Sequence, residues 1–195
     1  GAFPGSSLAS PRYSYDVVPT TPGELGYAGV DEPRSDEEVN QLNGRVAYTI
    51  PLGRDGSAEL GVSGQWGQLY NADTDGFGSH SAIAGHIDAT YGRWNVIAEA
   101  LRYELAPDPA AGEVPFVVMG AYDAPYKVAR DAALYLLGLA YTIPVEWGPI
   151  SSVRLYDDYT HMSKAEPGFA ETRQNVLGSA ISAGPLFVYI DIASG

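Results

Sequence analysis

Cysteine is absent from this chain, and three His and two Met are all it carries of those residues in 195 positions. Without Cys there is no disulfide scaffold and no thiolate metal site. His80, His86 and His161 lack the spacing of metal ligands. Positive charge is scarce as well. Eleven Lys and Arg stand against 24 Asp and Glu, a formal charge of −13, which argues against nucleic acid because phosphates require a basic surface. Long apolar runs are also missing, and none approaches the roughly 20 residues of a membrane helix. That excludes a helical span but leaves a barrel open, since barrel strands alternate rather than run apolar. Gly1 is not followed by a basic start and an apolar core, so no signal peptide is read there. The chain is read as mature, trimmed or internal.

What the chain does have is glycine, proline and tyrosine: 23, 14 and 14 residues. That composition marks a turn-rich, aromatic β protein. One phrase occurs twice. Val46-Ala47-Tyr48-Thr49-Ile50-Pro51 is echoed by Leu139-Ala140-Tyr141-Thr142-Ile143-Pro144, and each copy runs into a short turn. Short turns alternate with longer polar loops along the chain. A transmembrane β-barrel has that rhythm, with short turns on the periplasmic side and long loops outside.

The alternation becomes regular at Asn43. Val46, Tyr48, Ile50 and Leu52 share one face of the first strand, and Arg45, Ala47 and Thr49 share the other. Asp55-Gly56 signals a hairpin. Leu60, Val62 and Trp66 then oppose Glu59, Ser63 and Gln65, and a polar loop is expected over 71–79. Ile83, Ile87, Ala89 and Tyr91 oppose His86 and Asp88. Gly92-Arg93 turns into a strand over 94–105, where Arg102 and Glu104 fall on the apolar parity. A β-bulge, or exit from the membrane, would explain them. Leu137 to Val145, a strand through Val153 and Leu155, and a hairpin over 176–193 complete the series, with a polar loop over 163–174. Asp157 and Asp158 point to opposite faces, which defeats a shared acid/base pair.

The predicted fold is all-β: an antiparallel transmembrane β-barrel contributing about eight strands, most near the 9–11 residues of tilted membrane strands. Residues 1–42 read as a long external loop or irregular extension. Within them, 12–18 is a candidate short strand and Asp36 to Leu42 a candidate helical turn. Residues 43–195 carry the barrel strands, interrupted by a long loop around 106–133 that could contain a strand-like arm or a short helix. The first clear strand runs from the long-loop end to the short-turn end, and the last finishes at the long-loop end. Both chain ends are therefore expected outside, as in an internal piece amounting to half of a larger barrel of roughly 16 strands.

Arg12-Tyr13-Ser14-Tyr15-Asp16, Glu38-Val39-Asn40-Gln41-Leu42-Asn43, Arg154-Leu155-Tyr156-Asp157-Asp158-Tyr159 and Tyr189-Ile190-Asp191-Ile192-Ala193 resemble segments of Gram-negative outer-membrane porins. The similarity is broadly to the phosphate-selective porin superfamily. It implies a bacterial outer-membrane location, contact with outer-membrane lipid, a homotrimer of barrels, and passive diffusion of small hydrophilic solutes or ions. Phosphate selectivity does not carry over. It needs a dense ladder of Arg and Lys, and this chain's scattered basic residues fit a cation-leaning or neutral-solute pore.

In the barrel reading the polar strand face lines the lumen, so the candidate pore-lining residues are Arg45, Glu59, Gln65, His86, Asp88, Glu99, Arg154, Tyr156 and Asp158. No catalytic set is found. Gly61-Val62-Ser63-Gly64 lies within a strand and is no nucleophile elbow, and no enzyme activity or cofactor is expected. Asp73-Thr74-Asp75-Gly76 opens like a calcium loop but lacks the remaining ligands, so calcium in the acidic loops is the weaker expectation. The alternative is a soluble β-rich carbohydrate-binding module using exposed Tyr and Trp as stacking platforms. An apolar belt on the outside of the sheet favours the porin; a packed apolar interior under a polar exterior excludes it.

Overall fold

The computed structural model describes residues 36–71, 74–112, 115–121 and 124–195. Of the extension read over 1–42, residues 1–35, including the strand at 12–18, lie outside the described residues, as does Asp73. Four strands come first: β1 (Asp36–Pro51), β2 (Gly56–Asn71), β3 (Gly76–Tyr91) and β4 (Trp94–Ala106). A separate hairpin follows, β5 (Phe116–Ala121) and β6 (Ala124–Ala129). Then come β7 (Asp131–Trp147), β8 (Ile150–Lys164), β9 (Thr172–Ala183) and β10 (Leu186–Ser194). The described residues are all-β, and eight of their strands form one antiparallel sheet in the order β1-β2-β3-β4-β7-β8-β9-β10.

Local chemistry fixes the short-turn end. Each of its four turns places one glycine at positive φ: Gly53, Gly92, Gly148 and Gly184. Glycine enters that region without the Cβ clash that other residues meet. The four turns therefore lie at one end of the sheet and the longer connections at the other. β1 enters and β10 leaves at the long-loop end, as the strand parity predicts.

Several strands are longer than expected, for one reason. Asp36 to Val39 is not a helical turn. It pairs with Asn71 to Gln68 of β2, and a register shift between Val39 and Leu42 absorbs Asn40 at φ 52°. The polar loop expected over 71–79 shrinks to the few residues between Asn71 and Gly76, and the loop over 163–174 to those between Lys164 and Thr172. Toward this end the strands carry polar residues on both faces, so they pair without showing a period of two. In β4 no bulge occurs. Its ladders to β3 and β7 run without a register shift, and Arg102 donates to Asp131 of β7 at 2.8 Å.

The stretch over 106–133 is also resolved into elements. Pro109–Ala111 form a short 3-10 turn, and residues 124–129 are strand rather than helix, paired with 116–121. This hairpin packs on the sheet through a small cluster. Val117 and Val128 meet Leu69 of β2 and Leu105 of β4, with Tyr103 against them. The Tyr103 hydroxyl donates to the Ala129 carbonyl at 2.9 Å.

A second clasp joins two connections. The Thr74 hydroxyl donates to Asp108 at 2.6 Å, and the Ala110 amide donates to the other carboxylate oxygen at 3.1 Å. These donors, the hydroxyl first, hold the Asp108 carboxyl below its usual range. A depressed carboxyl contributes stability above its ordinary pKa and loses it as pH falls through the lowered value. The protection factor of the Ala110 amide is expected to fall in acid, and Asp108→Asn to remove that pH dependence. Hydrogen exchange followed by NMR checks both.

Candidate functional site

Antiparallel register places directly opposed residues on one face of a sheet, so the cross-strand pairs sort every side chain. One face carries Val46, Tyr48, Leu60, Val62, Ile87, Val96, Leu137, Leu139, Leu155, Leu177, Val188, Ile190 and Ile192. Most are exposed: Val46 is 78 % and Ile192 70 % accessible. This is the reverse of a soluble domain, whose large apolar side chains go inside. Trp66, Tyr135 and Tyr159 border the apolar zone toward the long-loop end, and Tyr91, Trp94 and Trp147 border it at the turns. Arg102, Glu104 and Asp131 lie on the same face beyond Tyr135. One polar pair interrupts the zone: Asn175 donates to Asp157 at 2.7 Å.

The opposite face carries all nine sequence-predicted residues, Arg45, Glu59, Gln65, His86, Asp88, Glu99, Arg154, Tyr156 and Asp158. They form groups. Arg45 Nη2 donates to Glu59 Oε1 at 2.5 Å and lies 3.0 Å from His86 Nε2, which is itself 3.2 Å from Glu59. The contact to Arg45 needs an unprotonated Nε2 and the contact to Glu59 a protonated one, so the tautomer selects between them. Gly61 makes the grouping possible. A Cβ there would fall 2.2 Å from the imidazole, which lies flat across β2 to reach its partners. Glu99 is the register partner of His86.

Nearer the turns, Asp88 and Arg154 are joined through Asn95. Asn95 Nδ2 donates to Asp88 at 2.6 Å, and its Oδ1 accepts from Arg154 at 2.7 Å. Tyr156 donates to Asp191 across Gly178, where a Cβ would overlap both side chains. Asp158 leans over Gly138. Gln65 stands apart, 3.4 Å from His80 Nδ1. Asn95 and Asp191 are the members that sequence reading left out. Both occupy the polar parity of their strands, which is the signal that would have found them.

The face is not uniformly polar. Ile97, Leu101, Leu134 and Leu136 form a half-buried apolar area on β4 and β7. The β5–β6 hairpin lies on this same face, since Leu69, Tyr103 and Leu105 share its parity. In the acidic loops, Asp75 accepts from Tyr70 at 3.0 Å and Asp108 is held by Thr74. Among the described residues no group of three or more His, Asp or Glu is arranged to hold a metal ion. Compared with protein-family models, curated proteins and solved structures, the chain matches none.

Proposed function

We propose that this sheet is part of the wall of an outer-membrane porin through which small hydrophilic solutes and ions diffuse passively. The observation that carries the reading is the exposed apolar face bordered on both sides by aromatic residues. Tyr and Trp suit the two bilayer interfaces because an apolar ring and a polar tip are both satisfied there. Along β7, Tyr135 and Trp147 lie about 40 Å apart at the usual rise per residue. A tilt near 45° brings that separation close to the roughly 25 Å apolar band of a membrane barrel. The polar face then lines the lumen.

Barrel size follows from the hairpin. Open sheet edges are not tolerated in hydrocarbon, so β1 and β10 require partners. If they paired with each other, eight strands would leave an interior that side chains alone fill. Here a two-stranded hairpin stacks on the inner face, and stacked sheets need about 10 Å. The wall therefore takes more strands than these eight, in keeping with a total of roughly 16. The outer-membrane location and the trimer rest on the porin resemblance alone.

Charge on the lumen face favours cations. Lys164, at the buried upper end, is tied to the Ala170 carbonyl and Thr172. Below it, Arg45 and Arg154 stand against Glu59, Asp88, Glu99, Asp158 and Asp191, an excess of negative charge. Reconstituted in planar bilayers, the full-length protein is expected to give stepwise conductance and a cation-selective reversal potential. The Glu99→Gln, Asp158→Asn double variant should move that potential toward zero. Stable incorporation with no ion current would sink the porin reading.

A further inference from the structure

We propose that the turn-side end of the polar face binds a neutral oligosaccharide, stacked on Tyr189 and Phe187 and hydrogen-bonded by the Asp88–Asn95–Arg154 group. The inference deepens the porin reading, and rests on it for the idea that the sugar is a permeant solute.

β10 supplies the first observation. Its outward residues are Leu186, Val188, Ile190 and Ile192, whereas Phe187, Tyr189 and Asp191 share the polar parity. Phe187 is 67 % and Tyr189 65 % exposed. Exposure on an edge strand says little by itself. Parity says more, because these rings stand on the face that carries the charged network and not on the apolar belt.

The second observation is the space beside them. Next to the rings β9 presents Ala180 and Ser182 to this face, while Tyr156 and Asp191 close over Gly178 and Val176 lies further toward the long-loop end. Ala180 and Ser182 floor a trough about 10 Å wide, two strand spacings, between Tyr189 and Phe187 of β10 and Arg154 and Ser152 of β8, with Tyr156 as its end. Arg154 also lines the adjoining cleft of about 640 Å³, together with Asp88, Thr90, Arg93, Asn95 and Thr142. That volume falls within the range of small-molecule sites. Arg154 thus borders both the trough and the cleft, with the aromatic platform on one side of it and the prearranged polar group on the other.

Ligand chemistry follows from both sides. A pyranose presents a face of C–H groups, which stacks on an aromatic ring, and an edge of hydroxyls, which both donate and accept. Asn95 fixes Asp88 and Arg154 in place, while Arg154 retains further N–H donors and Asp88 a second acceptor oxygen. Anionic ligands are disfavoured, because Asp88, Asp158 and Asp191 outweigh Arg93 and Arg154 here. A purely apolar ligand would strip water from Asp88 and Arg154 without replacing the hydrogen bonds lost. A neutral polyol ring meets both requirements, and an oligomer can span trough and cleft together.

The test is calorimetric titration of the full-length protein with maltohexaose, a neutral glucose oligomer, with inorganic phosphate as the contrasting probe. Saturable binding of the sugar is expected. Tyr189→Ala should weaken it roughly tenfold, the scale of one aromatic stacking contact, and Tyr189→Phe should restore most of it. Far-UV circular dichroism confirms that each variant keeps its sheet. Three outcomes overturn the site: no saturable sugar binding, equal affinity in Tyr189→Ala, or phosphate bound in preference to the sugar. A protein that conducts ions but binds no sugar defeats this inference and leaves the pore standing. One that binds sugar with Tyr189 dependence but carries no current supports the site and defeats the pore.

Discussion

Leu155→Arg is expected to destabilise the folded protein in lipid by about 2–4 kcal/mol, the range for a charged side chain on the lipid face near the bilayer midplane. Leu155 sits inside the apolar belt, opposite Ser179 of β9 and Tyr141 of β7, which is midway between Tyr135 and Trp147, with 48 % of its surface exposed. In water such a position is ordinary surface, and a substitution there usually changes stability by under about 0.5 kcal/mol. The two environments therefore predict outcomes several-fold apart for one residue. Thr160→Arg is the control. Thr160 is on β8, directly opposite Leu136, and points to the polar face. Reversible urea unfolding in lipid vesicles measures both variants. A Leu155→Arg protein as stable as its parent would remove the case for a lipid-facing belt, however apolar that face is.

The strand alternation was largely legible in the sequence, because a half-buried strand writes its two faces with a period of two. From parity alone, Arg45, Glu59, His86, Asp88, Glu99, Arg154, Tyr156 and Asp158 could be assigned to one face, with Gln65 beside them, and the cross-strand register agrees. Which of them touch was not legible. Arg154 reaches Asn95 across an intervening strand, and residues 59 positions apart in sequence carry no local sign of that contact. The roles of Gly61 and Gly178 were equally hidden. In a strand pattern an isolated glycine reads as a weakness or a bulge, whereas here each opens the space that His86 or Tyr156 occupies. The strand extensions toward the long loops were missed because polar residues stand on both faces there. Asp36 to Val39 is strand because β2 offers its edge, not because the segment prefers it.

Val117→Asp should produce the largest functional change, by freeing the β5–β6 hairpin from the polar face. The hairpin had the faintest signature in the sequence, since its short strands pair with each other and find their packing partners far away on β2 and β4. The contact that holds it is small: Val117 and Val128 on Leu69 and Leu105, plus the bond from Tyr103 to the Ala129 carbonyl. Val117 is only 1 % exposed. A carboxylate forced into that cluster without a partner would cost about 3–5 kcal/mol, more than so few apolar contacts can offset. The eight-stranded sheet makes its own ladders and should persist, so the loss stays local. In the porin reading the hairpin narrows the lumen. Single-channel conductance of Val117→Asp is therefore expected to rise above that of the parent, and limited proteolysis to cut between residues 113 and 130. Tyr103→Phe removes one hydrogen bond without burying charge and should give a smaller shift of the same sign. Hairpin cleavage with unchanged conductance would place the hairpin outside the ion path.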